Sequence, residues 1–272
     1  MNRLQAAVQA NEGEPLLGIA VYFYDPPFLE MAAHLGFKVM WIEMEHSFMG
    51  FSEVADLCRM AKSAGMLAMI RTANANRENV MKAAECGPDI IDVPMVETVE
   101  HVHALIDSAR FAPEGNRGFF SVSPSLAYGL RQDVVSAQMK VNQDLCLMVQ
   151  VETAAAVDNI EALCAVPGVE IFIGPSDLSA SLGVPGQLGH PKVLEAARKV
   201  VAAAKKAGKL VAVGSGPAEF GFYAQLGVDV LFCGNDFSCM KIGIQSMLEQ
   251  GQAAVAKAAQ QMHSVPVAEG VR

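Results

Sequence analysis

Two carboxylates end two apolar runs in neighbouring parts of this chain: Val149-Gln-Val-Glu152-Thr and Ile171-Phe-Ile-Gly-Pro-Ser-Asp177. A continuous run of β-branched and apolar residues is what a strand buried on both faces of a parallel sheet requires. An acid at the carboxyl end of such a run stands at the rim of the sheet, where α/β proteins gather their chemistry. Adjacent parallel strands lie about 4.8 Å apart, so Glu152 and Asp177 can share one cation. Two hard oxygen ligands, with coordination positions left for water or substrate, suit Mg²⁺, Mn²⁺ or Co²⁺. Taken singly, each has a plainer use. Glu152 precedes the helix start Thr153-Ala-Ala-Ala and could complement its dipole, and Asp177 could cap a helix. The matched pair favours the metal.

Other polar residues fall at the same kind of position. Glu43, Glu45 and His46 follow the second apolar run, Arg71 ends the third, and Gln150 stands two residues before Glu152. Arg71 directly ends Leu67-Ala-Met-Ile and is expected to emerge inside the rim. His46, with two carboxylates nearby, has the makings of a tuned acid or base. His34, His101, His103, His190 and His263 lie on expected helices or loops without partners.

The elements that must position these groups alternate from end to end. Strands are predicted over Leu16–Tyr22, Lys38–Met44, Leu67–Thr72, Ile90–Met95, Leu145–Val151, Val169–Gly174, Leu210–Val213 and Val228–Cys233. Between them lie helical patterns, among them Ser52–Ala64, Asn79–Cys86 and Pro191–Ala207, the last with Pro near its start and Gly208 just past its end. Eight βα units in one chain of 272 residues predict an α/β fold, a closed (β/α)8 TIM barrel. No GxGxxG follows the first strand, against a doubly wound nucleotide fold. The chain reads as one domain, 1–272. It has an N-terminal extension (1–14), a long loop insertion (111–142), a C-terminal helix (236–263) and a flexible tail (264–272).

Composition sets outer bounds. With a net charge of −9 the chain is a poor match for nucleic acid or an anionic membrane surface. No apolar run reaches the length of a membrane span, and no secretory signal is present, so the cytoplasm is the expected location. The six cysteines form no CxxC pair and read as reduced core thiols.

Taken together, Glu43-Met-Glu-His46, Arg71, Pro113-Glu-Gly-Asn-Arg-Gly118, Val149-Gln-Val-Glu-Thr153 and Phe172-Ile-Gly-Pro-Ser-Asp-Leu-Ser-Ala-Ser-Leu-Gly183 closely resemble the HpcH/HpaI family of class II pyruvate aldolases, relatives of citrate lyase β subunits. The likeness runs from about Gly18 to Asp236. It implies a barrel of the phosphoenolpyruvate/pyruvate type, assembled as a homo-oligomer (a hexamer or trimer of dimers) with the last helix exchanged between subunits. By the same likeness Glu152 and Asp177 ligate the divalent metal and Arg71 contacts the pyruvate oxygen. His46 serves as general base, Gln150 lies beside the bound 2-oxo acid, and the backbone of Gly174 and Ser176 holds its carboxylate. The family typically has Asp, paired with the histidine, where this chain has Glu43, so Glu43 is expected to orient His46. Ala20 stands where many relatives carry an aromatic residue.

The expected reaction is metal-dependent aldol cleavage or formation of 4-hydroxy-2-oxo acids through a metal-bound pyruvate enolate, with pyruvate and an aldehyde as partners. Two alternatives stand beside it. One is another enolate enzyme on this scaffold, either a 2-oxo acid decarboxylase or a CoA-thioester or citrate-type lyase or synthase. The other is a non-catalytic binding or scaffold protein. No lysine ends a strand in the quoted motifs, which disfavours a Schiff-base aldolase.

Overall fold

The structure, a computed structural model, describes residues 1–130 and 133–263. Eight parallel strands close on themselves in chain order: β1 (Leu16–Val21), β2 (Val39–Glu43), β3 (Leu67–Arg71), β4 (Ile90–Val93), β5 (Cys146–Val151), β6 (Glu170–Ile173), β7 (Val211–Gly214) and β8 (Val230–Asn235). Helices separate them around the outside, so the fold is the expected (β/α)8 barrel. Each strand boundary lies within two residues of the one read from sequence.

The apolar runs are continuous because each strand feeds two cores. Ala20, Trp41, Met69, Ile90, Met148, Phe172, Ala212 and Phe232 point inward and fill the barrel. Val21, Ile42, Ile70, Ile91, Val149, Ile171 and Val213 point outward beneath the helices. Side chains alternate along a strand with period two. The inward row therefore continues from Trp41 to Glu43, from Met69 to Arg71, from Ile90 to Asp92, and from Met148 to Gln150 and Glu152. At the carboxyl ends of these strands the filling changes from hydrocarbon to charge.

Two segments differ from the sequence reading. Residues 1–14 contain a helix, Arg3–Ala10, closed by a capping box between Asn2 and Gln5. Its Leu4 is fully buried in the barrel cluster, Arg3 pairs with Asp89 at 2.8 Å, and Gln5 donates to Glu170 at 2.8 Å. This helix stoppers the end of the barrel opposite the polar rim. The 111–142 region is not a loop: it holds a short 3-10 turn, Pro124–Gly129, and most of a helix, Val134–Asp144. Phe111, Leu126 and Ala137 form a small core there, and the Asn142 side chain both accepts from the Phe111 N–H and donates to its C=O, each at 2.8 Å. The helix escaped notice because it is short and polar, and Asp133 caps it by accepting from the Ser136 N–H. The C-terminal helix, Asp236–His263, is present as expected; the tail 264–272 lies outside the described residues. All six cysteines are free thiols, and Cys239 departs from the core-thiol reading in being exposed.

Candidate active site

At the carboxyl ends of the strands opens a cavity of about 450 Å³, lined by Tyr22, His46, Arg71, Gln150, Gly174, Ser176, Asp177 and Ser215 among others, and by no lysine. Its floor is a triad of rings. Trp41 lies 5.0 Å from Phe172 and 5.1 Å from Phe232, centroid to centroid.

Arg71 is the fixed point of the site. It is 4% exposed, its Nε donates to Glu43 Oε2 at 2.5 Å, and its Nη1 stands 3.1 Å from Glu45 Oε2. The guanidinium carbon lies 5.1 Å from the centre of the Trp41 ring, a cation–π contact. Burial works against the Arg71 charge, but Glu43 and Glu45 outweigh it, and its pKa rises. The cation is permanent.

Glu43 does not do what the sequence suggested. Its carboxylate is fully buried; besides Arg71 it accepts the backbone N–H of Glu45 at 2.6 Å and of His46 at 3.0 Å. It grips the turn that carries the histidine, and no contact joins it to the imidazole ring. The ring's Nε2 instead faces Glu45 Oε2 at 3.7 Å. Glu is one methylene longer than Asp, and it spends that reach on Arg71, its register partner across β2 and β3. Burial raises the Glu45 pKa, an effect countered by Arg71 and His46.

Glu152 ends the inward row of β5 and is 1% exposed. Its Oε1 accepts the Met95 backbone N–H at 2.7 Å, and its Oε2 accepts from Gln150 Nε2, also at 2.7 Å. Met95 adopts a left-handed backbone, φ 57°, which non-glycine residues rarely hold; the strain sits where an amide is aimed at this carboxylate. Burial, with Asp177 adding repulsion, pushes the Glu152 pKa up to about 7. Asp177 lies in the first turn of the helix Pro175–Ser181, where Gly174, not Asp177, is the N-cap. Its side chain is therefore not consumed by capping, and it lines the cavity.

Gly174 serves by being small. A Cβ there would lie 2.5 Å from Glu152 Oε2 and 2.7 Å from Gln150 Nε2. Its N–H already donates to the Val151 C=O at 3.2 Å, so it is not available to a substrate carboxylate as expected. Ser176, in the first helical turn, keeps an amide without a helical acceptor. Gln150 Oε1 is buried without a partner among the described residues, facing the cavity that the side chain lines.

Among the described residues no three His, Cys, Asp or Glu side chains converge into a complete ligand set. Two carboxylates at one rim, one of them raised to about 7 by burial, are hard oxygen donors that would suit a hard divalent cation. Sequence reasoning passed over Asp92. It is fully buried, and both its oxygens lack partners among the described residues. Burial drives its pKa well up, with Arg71 opposing and Glu152, Glu43 and Glu45 reinforcing. Its place two residues after Ile90 was the available signal.

Fold and site together define a barrel protein whose charged rim is built to receive a small acid. Residues 21–238 match the HpcH/HpaI aldolase/citrate lyase family, and the chain belongs to it. It is 31% identical over 208 residues to a hydroxypyruvate/pyruvate aldolase of Sagittula stellata, covering 76% of this chain and 80% of that one. It is 33% identical over 215 residues to a 2-keto-3-deoxy-L-rhamnonate aldolase of Klebsiella pneumoniae, covering 76% and 78%. The crystal structure of an aldolase/citrate lyase family protein from Burkholderia cenocepacia superposes with a TM-score of 0.85 at 29% identity, over 93% of this chain and 100% of the other. Among the described residues no helix is long and apolar enough to cross a membrane.

Proposed function

We propose that this chain is a divalent-metal-dependent carbon–carbon lyase that forms and cleaves 4-hydroxy-2-oxo acids, with pyruvate and an aldehyde as the other partners. The aldolase names of its relatives support the reaction class. The observation that carries it is Arg71, clamped by Glu43 and Glu45 in a cavity that Asp177 and Gln150 line, with Glu152 bonded to Gln150 just behind.

Glu152 and Asp177 would hold Mg²⁺, Mn²⁺ or Co²⁺, which would supply Lewis acidity to the 2-oxo acid. Arg71 stabilises negative charge on the substrate's C2 oxygen; its pre-set orientation needs no rearrangement as that charge grows. Gln150 fixes Glu152 and offers its free Oε1 to the cavity. The Ser176 amide receives the substrate carboxylate at a helix start, where the dipole favours an anion. His46, beside Glu45, takes the proton of the 4-hydroxyl in cleavage and returns it in synthesis.

The protein acts as a homo-oligomer. Met240, Ile244, Met247 and Leu248 are exposed along the C-terminal helix, and exchange of that helix between copies covers them.

Exchange of the methyl protons of pyruvate with D₂O tests the reading without knowledge of the aldehyde. Metal-dependent exchange above the metal-only control is expected in the wild type and lost in Arg71→Ala. Exchange of the acetyl group of acetyl-CoA instead, or none at all, would overturn it. In His46→Ala, loss of cleavage with exchange retained would confine the histidine to the 4-hydroxyl proton, and survival of both would remove it as the base.

A further inference from the structure

Next to the catalytic cavity, where β1 and β2 end, lies a second hollow of about 210 Å³. It shares Tyr22 and His46 with the catalytic cavity, and its other walls are chiefly rings. On one side the Phe23 ring lies 4.1 Å from that of Phe237, and Tyr22 lies 5.9 Å from the same ring, edge-on. This wall is fixed from behind. Asp236, fully buried at the start of the C-terminal helix, accepts the backbone N–H of Tyr22 at 2.7 Å and of Phe23 at 3.0 Å. On the other side stand Phe48 and Met49, with Phe48 fully exposed. The steps assigned to pyruvate use none of these rings.

We propose that this hollow seats the body of the aldehyde, and that the aldehyde is flat and uncharged: an aryl aldehyde, or an apolar one of similar outline. The inference rests on the aldolase reading above and names its second substrate. Continuity is the first argument. His46 stands on the boundary between the two spaces, so an aldehyde whose oxygen reaches His46 extends its substituent into the hollow. Size is the second. A space well below the usual range for drug-sized ligands accepts a single ring. Chemistry is the third. Rings pack on rings in offset or edge-on geometry, and this wall is set in place before anything binds. Charge is the fourth. Glu53 is part of its lining and, among the described residues, no lysine or arginine lines the hollow, so an aldehyde with a distal carboxylate meets repulsion without a partner.

The reaction balances without a further reactant. Pyruvate gives up one C3 proton, C3 bonds to the aldehyde carbon, and the aldehyde oxygen gains one proton. The product is a 4-aryl-4-hydroxy-2-oxobutanoate, and nothing is oxidised or reduced.

The test is kcat/KM of the full-length, metal-loaded protein with pyruvate and each of benzaldehyde, glycolaldehyde and succinic semialdehyde. Benzaldehyde should lead the other two by about tenfold or more, the scale of apolar-pocket discrimination. Phe48→Ser and Phe237→Ser should each cut the benzaldehyde-to-glycolaldehyde ratio by about tenfold. Phe48 is fully exposed, so its replacement disturbs no packing; if Phe237→Ser does not fold, Phe48→Ser decides alone. Methyl-proton exchange of pyruvate in the same samples separates the two levels. No exchange overturns the aldolase reading and this one with it. Exchange with no preference for benzaldehyde, or with a ratio the variants leave unmoved, overturns this one alone. A changed oligomeric state in Phe48→Ser with an unmoved ratio would make the hollow a seat for a second copy of the chain, and the proposal would fall.

Discussion

Glu43 and Arg71 face each other across β2 and β3 as register partners, and their side chains meet at 2.5 Å with both fully or almost fully buried. The acid that sequence comparison pairs with a histidine is thereby committed to an arginine. Glu45, one turn position further on, is the carboxylate left to face the His46 ring.

Arg71→Lys should lower kcat by about 10²-fold or more, the scale for losing one preorganised oxyanion donor, while metal affinity stays within a few-fold. Lysine keeps the charge but not the planar fork that Glu43 and Glu45 hold. Turnover near wild type would reduce Arg71 to a structural part. Glu43→Ala should cost up to about 3–5 kcal/mol of folding stability, since it leaves the buried guanidinium with Glu45 alone; denaturant unfolding reads this directly.

Metal affinity should fall as pH drops below about 7, the value to which burial pushes Glu152. A cation at Glu152 would bind the carboxylate form, so below that pH a proton would have to leave first, and affinity should decline by about tenfold per pH unit. The metal-free protein should show the opposite trend. A carboxyl raised from 4.5 to about 7 in the folded state makes folding progressively less favourable as pH climbs through that window. Titration calorimetry with Mn²⁺ across the range checks the first statement; a flat affinity would contradict it.

Gly174→Ala should weaken metal binding by at least about tenfold with the fold intact. The added methyl meets Glu152 Oε2 at 2.5 Å and Gln150 Nε2 at 2.7 Å, so the carboxylate must move, and displacing an orienting partner costs about 10–100-fold in metal affinity. Circular dichroism beside the metal titration distinguishes this from misfolding.

Asp92→Leu should stabilise the protein by about 1–3 kcal/mol, the cost of a buried polar group left without a partner. Because burial raises the Asp92 pKa well above 3.8, the wild type pays more to keep it folded as pH rises. The stability gap between variant and wild type should therefore widen from acid toward neutral pH. A destabilised Asp92→Leu would mean the carboxyl has a partner that the folded chain needs.

Light scattering at micromolar concentration should report an oligomer. The exposed Met240, Ile244, Met247 and Leu248 form more apolar surface than a lone helix on a soluble monomer carries. A compact monomer would refute the assignment.

The barrel was legible because strands buried on both faces leave unbroken apolar runs, and eight such runs can be counted. Glu152, Asp177 and Arg71 were legible for the same reason: each interrupts hydrocarbon at a strand end. What the sequence withheld depends on direction and reach. That Glu43 turns to Arg71 follows from cross-strand register, which no local pattern states. Met95 acts through its amide and an unusual φ, leaving no mark in its side-chain type. The helix Arg3–Ala10 has a single core residue, Leu4, too little for periodicity to register. The helix Val134–Asp144 hid behind Pro, Gly and Ser signals upstream of it.

Leu4 and the inward-facing side chains close the barrel at its other end, so the active site is reached from the polar rim. A 2-oxo acid against Arg71 and Gln150 lies inward of His46, and an aldehyde among Tyr22, Phe23 and Phe48 lies outward of it, on the side where Phe48 is exposed. Traffic is then ordered: the 2-oxo acid enters first and departs last, and the aldehyde arrives second and leaves first. In the cleavage direction this order shows in product inhibition, competitive by pyruvate and noncompetitive by the aldehyde.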